Sequence, residues 1–220
     1  MSTAALHACF RHAVPVSFFT SGGYFLGRMA ADAGLAHVRR GQVRAEGTVL
    51  AAAIARVLIG DKIANARTLL RRNLDGDEHA PALLRLSRLV DEALATADAP
   101  ALLAVEGEAA KRSWALFSTL LARDDAFFAM SGRTRRPPKD ATNAMLSFLA
   151  GMLVRDCVQA AANAGLDPLF GVYHTAHHGR PSMALDLMEP FRPLLVDSVV
   201  LGLVRRGEVT PKSFVDTGPS

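Results

Sequence analysis

Apolar residues recur at helical spacing over most of the chain, and this pattern predicts a mainly α-helical protein. The predicted helices run from Gln42 to Arg72, Pro81 to Thr96, Ala101 to Phe128, Asp140 to Ala164 and Pro181 to Arg205. Five residues of the second helix are expected to face the core: Leu83, Leu84, Leu86, Leu89 and Val90.

Polar and helix-breaking residues mark the ends of these helices. Asp140 is a favourable N-cap, and Gly165 stands where a C-terminal glycine is expected. The polar run from Asn73 to Asp77 separates the first two helices, and Pro190 and Pro193 predict a kink in the last one. The helix that follows Asp140 is apolar nearly all round, so we expect it to be central.

The beginning of the chain carries a different pattern, in which two apolar runs flank a glycine turn. We predict a helix from Leu6 to His12, strands from Val14 to Thr20 and from Tyr24 to Met29, and a turn at Ser21 to Gly23. Because an isolated two-stranded hairpin is marginally stable, it is expected to be a small appendage of one large helical domain. The polar segment after Gly207 is expected to be loosely ordered.

Composition agrees with one large core. Half of the 220 residues are hydrophobic, which suffices for a sizeable core. Cys9 and Cys157 are too few for a disulfide framework, so we expect reduced, packed thiols. No secretion signal is visible, and the longest uncharged apolar stretch, Met145 to Val154, is shorter than the roughly 20 residues of a membrane helix. These features predict a cytoplasmic protein with no membrane insertion.

The chain is modestly basic, with a formal net charge of +4 and a pI near 9.5. Such a charge is compatible with nucleic-acid binding and does not require it. A basic cluster next to two prolines consists of Arg133, Arg135, Arg136 and Lys139. It predicts a contact with the DNA backbone, and the alternative is a solvated linker.

Candidate chemistry concentrates in two segments, Gly171 to His174 and Arg180 to Pro193. Asp186 and Glu189 stand three residues apart in a helical segment, so both carboxylates leave the same face. Together with the imidazole of His174 they form a ligand set suited to Mg²⁺ or Mn²⁺, and zinc also fits. The alternative for the carboxylate pair is a solvated or salt-bridged helix face.

Glu106 is a third acidic candidate. Its same-face neighbours Ala110 and Ser113 are small and leave room around the carboxylate. Gly107 weakens a helix interior, which indicates that something approaches the backbone closely there. Glu108 leaves the helix in another direction and is expected to be exposed. The alternative for Glu106 is an acid near a helix N-terminus that the helix dipole stabilises.

Five motifs occur in one order: V-E-G-x-A-A at 105–110, N-A-M-L-S-F at 143–148, G-L-D-P at 165–168, G-V-Y-H at 171–174 and R-P-S-x-A-L-D-L-M-E-x-F-R-P at 180–193. Through them the chain, from about Leu6 to Phe214, resembles the CRISPR-associated Cas-one (Cas1) family. A looser match, to the family's K-x-x-N-x-R pattern, consists of Lys62, Asn65 and Arg67. The chain departs from the family at Ser113 and Trp114, where an aromatic pair beginning with tyrosine is usual.

The resemblance implies an activity and a set of site residues. Glu106, His174 and Glu189 would bind Mg²⁺ or Mn²⁺ and be catalytic, with Asp186 in support. The implied protein is a DNA endonuclease and integrase that inserts foreign spacer DNA at the repeat and leader of a CRISPR array by hydrolysis and transesterification. It would act as a homodimer with the Cas-two (Cas2) partner. Further candidates for phosphate positioning are Arg112, Arg180 and Arg192.

The resemblance also implies a division into domains. Residues 1–40 correspond to the end of the family's β-rich N-terminal domain, residues 41–207 to its helical catalytic domain and residues 208–220 to a tail. We therefore expect a shortened variant, or a fragment of a split or fused gene.

Two other classes of function stay open. The chain could be a catalytically inactive DNA-binding scaffold of an adaptation complex. It could also be a helical redox metalloenzyme with carboxylate-bridged metal, but such bundles carry Glu-x-x-His on their helices, a spacing that is absent around His174.

Overall fold

Helices make up most of the described chain, and two short strands form a hairpin near its beginning. The computed structural model describes residues 2–19, 25–29, 35–124, 126–135 and 137–215. Its elements are α1 (Thr3–Arg11), β1 (Val16–Phe19), β2 (Phe25–Met29), α2 (Ala36–Ala45), α3 (Val49–Asn73), α4 (Ala80–Ala95), α5 (Ala99–Asp124), α6 (Ala141–Asn163), α7 (Ser182–Met188) and α8 (Ser198–Arg205). A π-helix at Arg192–Asp197 precedes α8. The predicted fold class is confirmed.

The hairpin forms where the sequence predicted it. β1 and β2 pair in antiparallel fashion, with Val16 opposite Met29. The helix before them begins three residues earlier than predicted, because the Ser2 hydroxyl caps it by accepting a hydrogen bond from the Ala5 nitrogen at 3.3 Å. The predicted turn at Ser21 to Gly23 lies outside the described residues.

The prediction of one helix from Gln42 to Arg72 is wrong, because α2 ends and α3 begins within this run. Gly47 has a positive φ of 71°, a conformation that ends helices and that glycine adopts without strain. Thr48 then caps α3, since its hydroxyl accepts a hydrogen bond from the Ala51 nitrogen at 3.4 Å.

Helix α6 has the predicted ends but not the predicted central position. Asp140 Oδ1 accepts a hydrogen bond from the Asn143 nitrogen at 2.7 Å, and Gly165 follows the helix with a φ of 80°. Phe148 is 68% exposed and Met152 is 42% exposed. One side of α6 packs against α7 and the π-helix while these residues face away, so the expectation of a central helix is wrong.

Within the described chain, α6 is the one helix that is long and apolar enough to cross a membrane by those two criteria alone. The uncharged stretch in the sequence is short because Arg155 and Asp156 end it, whereas the helix continues through both residues. A helix that packs within a globular protein meets the same criteria. The expectation of no membrane insertion therefore stays a prediction.

The core lies between α3, α4 and α5 and continues to the π-helix and α8. Its most deeply buried large side chains include Ile59, Leu70, Leu86, Leu89, Leu120 and Leu121. Among the residues predicted to face inward on α4, Leu84 is the exception, since it is 53% exposed. Cys157 is buried and Cys9 is partly buried, and both are free thiols, as predicted.

The C-terminal segment is attached to the core through Phe214. The centroid of its ring lies 5.8 Å from that of Phe127 and 5.9 Å from that of Phe128. A 3₁₀ turn precedes it, in which the Thr210 nitrogen donates to the Ser213 hydroxyl at 3.1 Å. The expectation of a loosely ordered tail is therefore wrong as far as Phe214.

Gln42 ties α2 to the loop that follows α6. Its Nε2 donates to the carbonyl oxygens of Asp167 and Phe170 at 2.9 and 2.7 Å. Its Oε1 accepts a hydrogen bond from the Asp167 nitrogen at 2.7 Å. One side chain thus uses both ends of its amide to anchor the loop that leads to His174.

Candidate active site

Lys62 of α3 lies between two of the predicted ligands. Its ammonium nitrogen is 2.5 Å from Oε1 of Glu106 on α5 and 2.6 Å from Oε2 of Glu189, which directly follows α7. The three side chains are 16%, 18% and 5% exposed, respectively. Two carboxylates from distant parts of the sequence therefore face one positive charge in a place largely shielded from water, where such interactions are strong.

Asp186 of α7 is fully buried and holds the segment before it. Its Oδ2 accepts hydrogen bonds from the backbone nitrogens of Val172 and Tyr173 at 2.6 and 2.9 Å. Its Oδ1 accepts one from the His174 nitrogen at 2.9 Å and contacts Nδ1 of the same residue at 2.6 Å. One carboxylate therefore fixes both the backbone and the imidazole of His174, which leaves Nε2 as the ring nitrogen that Asp186 does not engage.

The hydroxyl of Tyr173 donates a hydrogen bond to Oε2 of Glu106. Burial and the adjacent Glu106 raise the pKa of Tyr173, so the phenol stays protonated and remains a donor. Burial alone would raise the pKa of Glu106, but Lys62, Tyr173 and the nearby His174 outweigh it, so this pKa is lowered. Glu106 is accordingly a carboxylate at neutral pH.

A cleft of about 660 Å³, counted with its open mouth, runs beside this cluster. One wall is the face of α5 that carries Glu106, Ala110 and Ser113, in agreement with the small neighbours that the sequence placed there. Further lining residues include Trp114, Arg135, Arg192 and Asp197. The cleft thus joins an open, partly apolar volume to the charged cluster.

Asp197 and Arg192 belong to the π-helix that forms part of this cleft. Burial raises the pKa of Asp197 to about 6, against the opposing effect of Arg192, and its Oδ1 has no hydrogen-bond partner among the described residues. Nη1 of Arg192 lies 3.7 Å from Oε2 of Glu189, and its side chain is 11% exposed. Arg192 therefore adds a second positive charge next to Glu189.

Arg133 turns inward instead of extending into solvent. Its guanidinium donates to Oδ1 of Asn143 at 2.9 Å and to the Ser147 hydroxyl at 3.1 Å, and it lies 5.9 Å from the Trp114 ring centroid. Burial lowers the pKa of Arg133 to about 10. Its contacts hold the segment before α6 to that helix.

The other predicted DNA contacts are distributed over several surfaces. Arg112 bonds Glu108 at 2.8 Å, and Glu108 also binds Arg85, on a face of α5 away from Glu106. Arg135 lines the cleft, and Arg180 is partly exposed in the loop before α7. Arg136 lies outside the described residues.

The family model described as CRISPR associated protein Cas1 matches residues 1–219 of this sequence. The chain belongs to the Cas1 family. It is 42% identical to a Cas4/Cas1 fusion of Geobacter sulfurreducens, named CRISPR-associated exonuclease Cas4/endonuclease Cas1 fusion, over 98% of this chain and 40% of that protein. It is 37% identical to the CRISPR-associated endonuclease Cas1 3 of Thermus thermophilus, over 99% of this chain and 64% of that protein.

Solved structures of Cas1 proteins share the fold. The Cas1 protein TM1797 of Thermotoga maritima superposes with a TM-score of 0.79 at 25% identity, which covers 99% of this chain and 69% of that one. A partial Cas6-RT-Cas1–Cas2 complex gives a TM-score of 0.77 at 27% identity and covers 96% of this chain and 64% of that one. The chain therefore spans less than two thirds of several of its relatives, and the resemblance that the motifs indicated is confirmed.

The donor set of this Cas1 chain fits a hard divalent cation. As the described residues stand, no three His, Cys, Asp or Glu side chains converge closely enough to form a metal-binding cluster. The Lys62 ammonium lies between Glu106 and Glu189. Both carboxylates face this ammonium, and the His174 imidazole, which contacts Asp186 through Nδ1, lies near enough to Glu106 to help lower its pKa. Carboxylate oxygens with one imidazole suit Mg²⁺ or Mn²⁺.

Sequence reasoning did not assign a role in the site to three residues. Lys62 and Tyr173 contact Glu106 directly, and Nδ2 of Asn65 donates to the Pro190 carbonyl at 2.9 Å, next to Glu189. The signal for Lys62 and Asn65 was their three-residue spacing, which puts both on one side of α3. Tyr173 stands within the G-V-Y-H motif, but the motif alone does not show which carboxylate it meets.

Gly171 should not tolerate a side chain. A Cβ atom at this position would lie 2.6 Å from Oδ2 of Asp186 and 2.6 Å from the His174 carbonyl oxygen. We expect Gly171→Ala to lower the free energy of unfolding by about 1–3 kcal/mol, because the backbone that Asp186 holds must shift. Urea denaturation measures the change.

Gly151→Ala is the matched control for this substitution, because a Cβ there meets nothing within 4 Å in the middle of α6. It should be neutral or stabilise the protein by up to about 1 kcal/mol. Equal stability of the two variants would contradict the close packing around Gly171.

Proposed function

We propose that this Cas1 chain is a divalent-metal-dependent DNA endonuclease and integrase. It inserts foreign DNA spacers into a CRISPR array by phosphodiester hydrolysis and transesterification. The observation that carries the proposal is that the Glu106 and Glu189 carboxylates converge on one point, which the Lys62 ammonium occupies, beside an open cleft. His174, fixed by Asp186, completes the set of Glu106, His174 and Glu189 that we assign to Mg²⁺ or Mn²⁺.

Bound there, the metal ion would supply Lewis-acid activation of the scissile phosphodiester and of the attacking oxygen. Tyr173 keeps Glu106 oriented through Oε2, and Asp186 keeps the imidazole oriented through Nδ1. Arg192, beside Glu189, binds a non-bridging phosphate oxygen. Arg135 and Arg180 extend the path of the DNA backbone, and the exposed Arg112 is a contact farther from the cleft.

The reaction depends on which oxygen attacks phosphorus. When water attacks, a bond forms between phosphorus and the water oxygen, the bond from phosphorus to the leaving ester oxygen breaks, and the DNA is cut. When the 3′-hydroxyl of a spacer attacks, the same exchange joins the spacer to the array strand. In both cases the leaving oxygen takes up one proton and the attacking oxygen loses one, so a single site performs both steps.

The proposal includes a homodimer that works with a Cas2 partner. A relative of similar fold was solved in a Cas6-RT-Cas1–Cas2 complex, and another relative is named as a fusion with a Cas4 exonuclease. The likeness to the first of these supports assembly with a Cas2 partner, and the homodimer is proposed from the family resemblance. We further propose that the protein works in the cytoplasm, on DNA, and without membrane insertion.

Removal of divalent ions should abolish the activity. We expect a labelled oligonucleotide with a free 3′-hydroxyl to be joined to a CRISPR repeat substrate when Mg²⁺ or Mn²⁺ and Cas2 are present. EDTA should reduce the joined product to background, because the carboxylates alone provide no Lewis acid. Re-addition of Mn²⁺ in excess over EDTA should restore it.

Two results of this assay would contradict the proposal. Zero joining and cutting with either metal, together with retained DNA binding in a gel-shift experiment, would favour the inactive scaffold. Stoichiometric iron after purification, together with activity that is insensitive to Mg²⁺ and Mn²⁺, would favour the redox metalloenzyme.

A further inference from the structure

Lys62 lies at the centre of the proposed metal site. Its ammonium is 2.5 Å from Glu106 and 2.6 Å from Glu189, so it occupies the point that the two carboxylates share. All three side chains are at most 18% exposed. Without a positive charge between them, two largely buried carboxylates would repel each other at a high cost in free energy.

We propose that Lys62 is a built-in counterion that holds the two carboxylates in place and competes with the divalent cation for them. This inference rests on the proposed function, because it takes Glu106 and Glu189 as metal ligands. A metal ion and the Lys62 ammonium are both positive, so they cannot share the same space between the carboxylates. Binding of one therefore displaces the other.

The neighbourhood of Lys62 allows such a displacement. Lys62 also lines the cleft of Arg135, Arg192 and Trp114, so its flexible four-carbon stem can move into that open volume without unfolding α3. There the ammonium meets the DNA phosphate that enters beside Arg192. Lys62 is thus a positioning residue. It holds the Glu106 and Glu189 carboxylates in place before the metal ion binds, and it contacts the DNA phosphate afterwards.

Two independent readouts test the inference in this 220-residue chain with Lys62→Met, whose side chain has a similar length and no charge. In EDTA the midpoint of thermal unfolding should fall by about 5–15 °C, because the buried carboxylates lose their counterion. In isothermal titration with MnCl₂ the dissociation constant should fall by about tenfold or more, because the competing charge is gone. Added Mn²⁺ should raise the melting temperature of Lys62→Met more than that of the unmodified chain.

Lys62→Arg and Lys111→Met serve as controls. Lys62→Arg keeps the charge and should restore both the melting temperature and the weaker Mn²⁺ binding of the unmodified chain. Lys111 is exposed on α5, so Lys111→Met should change neither readout. If Lys62→Met does not fold in EDTA, its refolding on addition of Mn²⁺ supports the inference, and failure to refold with Mn²⁺ overturns it.

The outcomes separate this inference from the proposed function. Tight Mn²⁺ binding with the same dissociation constant in Lys62→Met and in the unmodified chain overturns the competition and leaves the metal site intact. Absence of Mn²⁺ binding by both proteins overturns the competition and the proposed metal dependence together. A purely structural lysine would lower the melting temperature but would not tighten the binding of Mn²⁺.

Discussion

Replacing Glu106 with glutamine should lower strand transfer and DNA cutting by about a thousandfold while leaving the fold intact. The glutamine side chain keeps the size of glutamate and can still accept the hydrogen bond from Tyr173. It loses the negative charge, however, and a neutral amide oxygen is a much weaker ligand for Mg²⁺ or Mn²⁺. Initial rates of oligonucleotide joining with Cas2 and Mn²⁺ measure the loss, and circular dichroism monitors the helices.

Glu108 provides the matched control two residues away on the same helix. Its carboxylate binds Arg85 and Arg112, both at 2.8 Å, on a face that does not line the cleft. The same change, Glu108→Gln, should leave the rate within about twofold, since exposed ion pairs contribute little. A Glu106→Gln protein that keeps more than a tenth of the normal rate would remove Glu106 from the metal site.

Asp186→Asn should be the most destabilising of the substitutions in the site. The fully buried carboxylate accepts three backbone hydrogen bonds and contacts Nδ1 of His174. An asparagine amide would turn one of the two acceptors into a donor that faces other donors. We expect the free energy of unfolding to fall by about 3–5 kcal/mol and strand transfer to be lost, because His174 is no longer oriented.

Urea denaturation of Asp186→Asn against Asp167→Asn tests this expectation. Oδ1 of Asp167 accepts one exposed hydrogen bond, from the Leu169 nitrogen at 2.9 Å, so its replacement should cost less than about 1.5 kcal/mol. If both variants unfold at the same urea concentration, the bonds made by Asp186 are not what stabilises the G-V-Y-H segment.

Local signals predicted much of the fold. Helix α6 begins after Asp140 and ends before Gly165, as expected, because a capping residue and a positive-φ glycine act within one turn of the helix. The division between α2 and α3 was missed although Gly47 and Thr48 are local signals of the same kind. The apolar spacing continues on both sides of these two residues, so the run was interpreted as one helix and the glycine and the capping threonine within it were overlooked.

Sequence motifs nominated the residues of the candidate site but not the contacts between them. Motif order pointed to Glu106 and His174, and helical spacing put Asp186 and Glu189 on one segment. The meeting of Lys62 with both glutamates depends on how α3 packs against α5 and α7, which no local pattern encodes. For the same reason the charge of Arg133 suggested a DNA contact, whereas packing turns its guanidinium toward Asn143.

Gln42 connects α2, a helix that does not line the cleft, to the loop that leads to His174. Its three hydrogen bonds clamp the stretch that ends at Phe170, immediately before Gly171 and the backbone held by Asp186. Because the clamped stretch continues directly into the backbone that Asp186 holds, a displacement of α2 would be transmitted to the segment that carries His174. The geometry of the segment before His174 therefore depends on a side chain of α2, a helix that does not line the cleft.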